Sequence, residues 1–278
     1  MASPTHAHAT ATAPKPRFDP AVAAATAAKA PAMKPGIQPG TKITVDGATY
    51  ERFAIRVPHL IQFGEGLEHV LEEYVKPYYK EGDWIAVSEK LVSISQNLVR
   101  HISTVKVTWL ARLVTKGVKK HKNMTAWSRP EKVQLAIEIA GVHRILPAMF
   151  FGALGKLVGV RGVFWVIAGH RVSEIDGFIP EDMYPYTEWA VLPPPDPQAD
   201  CDRVEAATGM PMVTADANYI NVKIVGASKG VGLDWKTIRK VLLDNPLGQG
   251  NKMTPFVIVR KLGAGTNGGP EGAAGEAR

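Results

Sequence analysis

Three short loops combine glycines with oxygen-bearing side chains beside apolar segments. They span residues 168–173, 216–221 and 248–251. Asp216 and Asn218 follow the apolar run 212–215, and a carboxylate at a strand end presents oxygen to a metal or a phosphate. Gly248 and Gly250 would let backbone N–H groups approach a phosphate closely. If the loops converge, they can hold a divalent ion and its phosphates, because Mg²⁺ takes only one or two protein carboxylates.

Each of these signals also has a purely structural explanation. Asp216 can cap the turn after its strand, Gly-x-Gly at 248–250 is common in simple turns, and His170 can be an ordinary loop histidine. The sequence contains no Walker loop, no Gly-x-Ser-x-Gly and no zinc-helix histidine pair. Those absences exclude the commonest motifs of NTPases, hydrolases and zinc proteases.

The composition is that of a globular protein. The 278 residues are 45% hydrophobic and 21% charged, enough for one large domain or two moderate ones. A single cysteine, Cys201, excludes an intramolecular disulfide and a cysteine-built zinc site, and fits a cytoplasmic location. The net charge is +7, but residues 1–42 supply +4 of it. The remaining +3 argues against nucleic-acid binding.

Both ends of the chain are predicted to be flexible. Residues 1–45 are rich in Ala, Pro, Thr and Lys and cannot repay the entropy of ordering, and they lack the apolar core of a signal peptide. Residues 263–278 form a glycine-rich tail. Residues 46–262 are therefore predicted to be the folded domain.

Within that domain, helices and strands mix without a regular βαβ rhythm, which predicts an α+β fold. Strands are predicted at 52–57, 84–88, 91–95, 163–167, 212–215, 221–225 and 255–260. Helices are predicted at 67–75, 129–142, 197–208 and 235–243, with Ser128, Asp196 and Asp234 at the starts of the last three. A basic amphipathic segment covers 105–122.

The apolar segment 145–169 raises the question of a membrane span. It contains Pro147, Lys156 and Arg161. Each of the two cations at mid-depth would cost about 2.5–3.5 kcal/mol on an insertion scale. A turn between two buried elements, with 163–167 as a central strand, is the preferred interpretation.

Five short motifs follow one another in a characteristic order. They are Glu81-Gly82-Asp83 before a strand, Ala168-Gly169, the proline run 192–197, the segment 215–218, and Gly248-Gln249-Gly250 with Pro255. Over residues 53–262 this series resembles the coenzyme F420-0:γ-glutamyl ligase family. The resemblance implies a homodimer of mixed α/β fold with extended sheets. It also implies a ligase that joins L-glutamate to a phospholactyl deazaflavin through an amide bond, using GTP and Mg²⁺ or Mn²⁺.

Carried over residue by residue, the resemblance assigns roles to part of the chain. Asp216 and Gln249 would bind the metal, and Asn218, Gly248 and Gly250 would bind the nucleotide. In the ligase hypothesis built on this resemblance, the cations Arg171 and Lys223 would neutralise developing phosphate charge.

The chain departs from the family's pattern at several positions. Arg171 stands where the family has a metal-binding aspartate, and Ile94 and Gln96 replace a lysine and a glutamate. In the second loop, Ala217 lacks a hydroxyl and Tyr219 replaces a glycine. Two interpretations stay open. Arg171 contacts phosphate or pairs with Asp216, while Glu174 or Asp176 completes the metal shell; or the site has lost the family's reaction.

Three functional hypotheses follow. The first is a cytoplasmic, homodimeric amide-bond ligase acting on an amino acid and a phosphorylated acceptor. The second is a non-catalytic binding member with a degraded metal site. The third is nucleic-acid binding through the basic residues 100–122. That segment would also suit an anionic membrane surface, a phosphorylated substrate or simply a solvated helix face.

Overall fold

The computed structural model describes residues 36–58, 61, 63–117, 129–160, 162–178, 188–217, 222–248 and 252–263. The chain divides into two compact units. The sheet unit comprises residues 32–58, 67–89 and 196–278, and the helical unit comprises residues 1–31, 59–66 and 90–195. Helices occur together with a mixed sheet, which confirms the predicted α+β class.

The secondary structure is assigned in chain order. The strands are β1 (Gly36–Ile37), β2 (Thr41–Val45), β3 (Ala48–Arg56), β4 (Trp84–Ser88), β5 (Val99–His101), β6 (Asp176–Gly177), β7 (Trp189–Val191), β8 (Met212–Ala217), β9 (Val222–Ala227) and β10 (Phe256–Lys261). The α-helices are α1 (Leu67–Tyr74), α2 (Glu89–Ser95), α3 (Trp109–Gly117), α4 (Pro130–Ala140), α5 (Val142–Leu157), α6 (Val163–Ala168), α7 (His170–Ser173), α8 (Pro197–Thr208) and α9 (Trp235–Val241). Short 3₁₀ turns cover Lys76–Tyr78, Ile102–Thr104 and Lys229–Val231.

A seven-stranded mixed sheet is the frame of the sheet unit. Its order is β1-β3-β10-β4-β8-β9, with β2 paired to β3. Strands β4 and β8 run parallel, and the other neighbouring pairs are antiparallel. Asp46 and Gly47 join β2 to β3 with φ of 49° and 80°, the double positive φ that a two-residue hairpin turn favours.

Two helices cover opposite faces of this sheet. Thr214 of β8 lies against Cys201 of α8, with 3.3 Å between Oγ1 and Sγ. Its neighbour Val213 belongs to the core cluster that includes Ile238 of α9. Because successive strand residues point to opposite faces, α8 and α9 pack on different sides. Burial raises the pKa of the Cys201 thiol to about 11, more than its hydrogen bond with Thr214 lowers it.

The local signals for α8 and α9 are confirmed. The Asp196 carboxylate accepts a hydrogen bond from the Ala199 N–H at 3.0 Å, and Gly209 ends α8 in the left-handed conformation. Asp234 caps α9 through the N–H groups of Lys236 and Thr237. These caps satisfy backbone donors that the first helical turn leaves unpaired, so they can be identified from a few residues of sequence.

The helical unit is built from α3 to α7 and a small sheet of order β5-β7-β6. Its core contains Leu135 of α4, Ile145 of α5 and Phe178 after β6. Helices α5 and α6 approach closely at Gly155, where an added Cβ would lie 2.8 Å from Val163 Cγ2. Glycine is therefore required at this crossing.

Two predicted strands of this region are wrong. Residues 91–95 belong to helix α2, and residues 163–167 belong to helix α6. A short apolar run does not distinguish a buried strand from a buried helix by periodicity alone. Gly162 and Gly169, with φ of 88° and 93°, bound α6, and α7 follows at once. The predicted loop 168–173 is therefore mostly helical.

The predicted tail boundary at residue 45 is also wrong, because β1 and β2 already pair with β3. The hairpin turn at Asp46-Gly47 supplies the register that brings Val45 into the core cluster. Residues 1–35, residues 264–278 and the predicted cap Ser128 lie outside the described residues. Helix α4 begins after Arg129, whose side chain makes no capping hydrogen bond.

Within the described residues, no single helix has the length and apolar character needed to cross a membrane. By length and composition alone, the pair α4 and α5 passes that test together, but the two helices are bent by 117° at the break between them.

Candidate functional site

Asp216 and Lys223 lie directly opposite each other in the sheet unit. They are paired across the antiparallel ladder of β8 and β9, which contains an irregularity between Thr214 and Ala215. Cβ atoms of directly opposed residues in such a ladder are about 4.5–5.5 Å apart. Both residues are partly buried. Asp216 therefore lies inside strand β8, which extends two residues beyond the predicted end at 215.

Gly248 lies in the segment that leads into β10. It has a φ of +71°, and an added Cβ would lie 2.7 Å from Lys252 Cδ and 3.2 Å from Thr254 Oγ1. The Thr254 hydroxyl donates to the Leu247 carbonyl at 2.6 Å, which closes the loop. A residue later, the Pro255 carbonyl accepts from the Ser88 N–H at 3.2 Å, so the segment reaches the carboxyl end of β4.

Glu89 belongs to the same edge of the sheet, although the motif comparison does not single it out. It directly follows β4, and its side chain is buried, with the residue only 7% exposed. The parallel register of the strands β4 and β8 ends at the pair Ser88 and Ala215; Asp216 continues β8, and Glu89, the first residue of α2, directly follows β4. Such strands are about 4.8 Å apart. A charged residue directly after the apolar run 84–88 is the sequence signal that points to it.

Cations complete this edge. Arg56 ends β3, and its Nε donates to the Lys252 carbonyl at 3.0 Å. The strand ends and loop together define the sheet-edge site, whose residues are Arg56, Ser88, Glu89, Asp216, Lys223, Gly248, Lys252 and Thr254. Ligands of sheets with parallel strands commonly bind beyond the carboxyl ends of those strands, which is where these residues lie.

The site has the donors that a hard cation prefers, in small number. Glu89 and Asp216 are carboxylates on adjacent strand ends, and Mg²⁺ takes one or two protein carboxylates while keeping waters and phosphate oxygens. No cluster of three or more His, Cys, Asp and Glu suited to a metal occurs among the described residues. The donor set fits a metal that arrives with phosphates better than a closed protein cage. Lys223 opposite Asp216 supplies a competing positive charge.

The other predicted residues are placed differently. Arg171 lies on α7 of the helical unit with its side chain exposed. Asp176, the suggested substitute ligand, forms an ion pair with Lys90. Asn218, Gln249 and Gly250 lie outside the described residues. The roles of all these residues stay predictions.

A second charged cluster lies in the helical unit around Lys132. This residue is only 5% exposed, and burial lowers the pKa of its ammonium group to about 8. Asp176 acts to raise the pKa and Lys90 acts to lower it further. Lys132 and Lys90 therefore both interact electrostatically with the Asp176 carboxylate.

Comparison of the sequence with models of protein families and with curated proteins found no match.

Proposed function

We propose that this chain is a divergent relative of the coenzyme F420-0:γ-glutamyl ligases that forms an amide bond by nucleotide-dependent acyl activation at the sheet-edge site. The observation that carries the proposal is the register of the mixed sheet. It brings Asp216 and Lys223 opposite each other and places β4, which Glu89 directly follows, next to β8. Gly248 lies in the segment before β10, which contacts the end of β4 through the hydrogen bond from the Ser88 N–H to the Pro255 carbonyl. Gly248 and Glu89, which are 32 and 127 positions from Asp216 in sequence, thereby share one edge of the sheet with it.

The reaction consists of two balanced steps. A substrate carboxylate attacks the γ-phosphorus of a nucleoside triphosphate, which gives an acyl phosphate and releases the diphosphate. An amine then attacks the acyl carbon, forms the amide, and releases inorganic phosphate with loss of a proton from nitrogen. Both steps move negative charge on phosphate oxygens, so cations at the site would favour them.

The residues have distinct proposed roles. Asp216 and Glu89 would hold Mg²⁺ or Mn²⁺, with Gln249 assisting, and the metal would neutralise phosphate charge. Lys223 and Arg56 would contact phosphate oxygens, while Gly248 and Gly250 would leave space for phosphate beside the backbone. Asn218 would bind the nucleotide. Arg171 is retained as a phosphate-binding candidate only through the resemblance.

The substrates are proposed to be an amino acid and a phosphorylated acceptor, and the active form a homodimer of γ-glutamyl-ligase-like fold. The mixed sheet supports this assignment at the level of architecture.

A non-catalytic member of the fold is the second candidate. One observation favours it: Lys223 lies directly opposite Asp216, where its ammonium group competes with a metal for the carboxylate. In this case the sheet edge would be stabilised by opposite charges, which contribute about 0.2–1 kcal/mol when directly opposed across strands.

Nucleotide binding distinguishes the two candidates. The full chain is heated with GTP or ATP, each with Mg²⁺, Mn²⁺ or a chelator. A nucleotide at a hundredfold excess over its Kd is expected to stabilise the native state by about 2.7 kcal/mol. This stabilisation should depend on the metal. A melting temperature unchanged by every nucleotide and metal would leave the non-catalytic candidate.

The matched variants are Asp216→Asn and Asp202→Asn. Asp202 lies on α8 of the same unit with its side chain exposed, so its substitution controls for the loss of one negative charge. Asp216→Asn is expected to abolish the metal-dependent part of the stabilisation, and Asp202→Asn to retain it. Equal behaviour of the two variants would remove Asp216 from the proposed site.

A further inference from the structure

Helix α5 presents an apolar surface that the helical unit does not cover. Every fourth residue along one side is a large apolar side chain that is exposed. These residues are Val142, Leu146, Phe150, Leu154 and Val158, the last directly after the helix. Residues four apart are neighbours on a helix surface, so they form one continuous stripe. The inward side carries Ile145 and the small residues Ala148, Gly152 and Gly155, which are buried.

The stripe continues into the next turn and widens. Phe151 and Leu157 flank it, and Val160 and Val166 are exposed in the segment that follows. Phe150 is 66% exposed, Leu157 84% and Val166 83%. Isolated apolar residues on a surface need no explanation, but a contiguous patch of this kind marks a binding surface.

The charges within the stretch of sequence that carries this surface have one sign. Residues 139–173 contain no Asp or Glu, while Arg144 and Lys156 lie near the two ends of α5 with exposed side chains. Over residues 90–173 the sequence has fourteen Lys and Arg against two acidic residues, Glu131 and Glu138. The modest net charge of the whole chain conceals this segregation.

We propose that the α5 stripe and the turn toward α6 bind the surface of an anionic lipid bilayer. Apolar side chains would lie among the lipid chains, and Arg144 and Lys156 would contact headgroup phosphates. A helix lying in the membrane surface combines an apolar face with flanking cations in this way. At 16 residues, α5 is about 24 Å long, which is shorter than the hydrocarbon core of a bilayer is thick.

Charge complementarity favours lipid over other occupants. Two copies of the same face would bring like-charged surfaces together, which disfavours a dimer through this stripe. Nucleic acid would satisfy the cations but would leave the aliphatic side chains of Leu146, Leu154 and Leu157 without an apolar partner. An anionic bilayer satisfies both the charge and the apolar surface. This proposal is independent of the proposed ligase activity.

The test is sedimentation of the full chain with vesicles of phosphatidylcholine, with and without phosphatidylglycerol. We expect binding that increases strongly with phosphatidylglycerol and weakens with salt. Phe150→Glu with Leu157→Glu should lower vesicle partitioning about tenfold or more. Arg144→Gln and Lys156→Gln should each lower it about fivefold. Leu243→Glu changes a leucine of the sheet unit that is 52% exposed; it is the control and should bind as the parent does.

Three results would overturn the proposal. One is absence of binding to phosphatidylglycerol vesicles. Another is a dimer, detected by light scattering, that the double glutamate variant dissociates without any vesicle binding, which would assign the stripe to a second copy. The third is a chain that does not bind vesicles but binds nucleic acid, with an affinity that the Phe150→Glu and Leu157→Glu substitutions leave unchanged. Circular dichroism verifies folding, and Phe150→Ser replaces the double variant if that variant fails to fold.

Discussion

The sheet unit and the helical unit treat charge and apolar surface in opposite ways. In the sheet unit, buried Arg52 pairs with Asp244, and buried Asp83 pairs with Arg260. Its described large apolar residues are nearly all covered, the exposed ones being Ile37, Trp235 and Leu243. The described part of the helical unit buries Lys132, whose pKa is lowered by burial and by the neighbouring Lys90, and it exposes the α5 stripe.

The difference shows where each unit obtains its stability. A sheet covered by helices on both faces buries its apolar residues within one unit, and its buried charges are compensated locally. The helical unit retains apolar and cationic surface that its own fold does not use. Such surface is expected where a protein contacts something else. The four predictions that follow test this contrast.

The largest effect is expected at Asp83. Its side chain, 2% exposed, accepts hydrogen bonds from Arg260 Nε at 2.8 Å and Nη2 at 2.6 Å, and from the Lys80 N–H at 2.9 Å. Asp83→Ala leaves these donors without their acceptor and should lower the free energy of unfolding by about 3–5 kcal/mol. Urea denaturation measures this loss in the free energy of unfolding. The exposed pair of Glu72 and Lys76 is the control, because Glu72→Ala should cost less than about 1 kcal/mol. Similar losses in both would contradict the claim of compensated burial.

A smaller loss is expected where β9 meets α8. An added Cβ at Gly226 would lie 2.4 Å from the Pro197 carbonyl oxygen, a backbone atom that cannot move aside cheaply. Gly226→Ala should therefore cost about 1–3 kcal/mol. Gly152→Ala in α5 meets Phe164 Cβ at 3.1 Å but gains helix propensity, so its effect should be near zero. Thermal unfolding of Gly226→Ala and Gly152→Ala compares the two units directly. An equal loss of stability in both variants would contradict the expectation that the sheet unit is the more tightly packed at these positions.

At Lys132 the expected change is stabilising. The folded-state pKa is about 8, below the ordinary 10.5, so the unfolded state binds more protons between these values and stability rises with pH across that window. Lys132→Met should remove this rise and stabilise the chain at pH 7 by about 1 kcal/mol. Asp176 keeps its ion pair with Lys90 in the variant. The free energy of unfolding is measured from pH 7 to 10.5 for the parent and for Lys132→Met. If the variant keeps the same rise of stability with pH, Lys132 does not cause that rise.

The smallest effect is expected on the α5 stripe. Leu157 is 84% exposed, so Leu157→Ser should change the free energy of unfolding by less than about 0.5 kcal/mol. Val257→Ala, in the fully buried center of the large sheet, should cost about 1–3 kcal/mol by contrast. A large loss at Leu157 would mean that the stripe supports the fold and is not a spare surface.

Much of the sheet unit could be predicted from the sequence. The strand Trp84–Ser88, the capped helices α8 and α9 and the final strand are set by local patterns of a few residues. The helical unit was harder to predict because residues 91–95 and 163–167 are short apolar runs, whose conformation depends on what packs against them. The Asp46-Gly47 turn carried a usable hairpin signal that would have extended the domain to β2.

For the candidate site, the sequence identified Asp216, Lys223 and Gly248 as polar or flexible positions in or beside strands, but not their mutual arrangement. The pairing of Asp216 with Lys223 and the position of Glu89 at the end of the strand next to β8 depend on strand pairing and register. Shifting a register by one residue changes which face every side chain takes, and alternation alone does not fix the partner strand.

By itself, the sequence determined the elements whose causes are local: the caps at Asp196 and Asp234, the glycine that ends α8, and the mixed α+β class. The tertiary structure alone decided which distant residues share the sheet edge and which side of α5 is left uncovered. The physical reason is the distance along the chain over which each feature is determined. A cap is satisfied within one helical turn, whereas a strand partner or a covered helix face is chosen by elements far away along the chain.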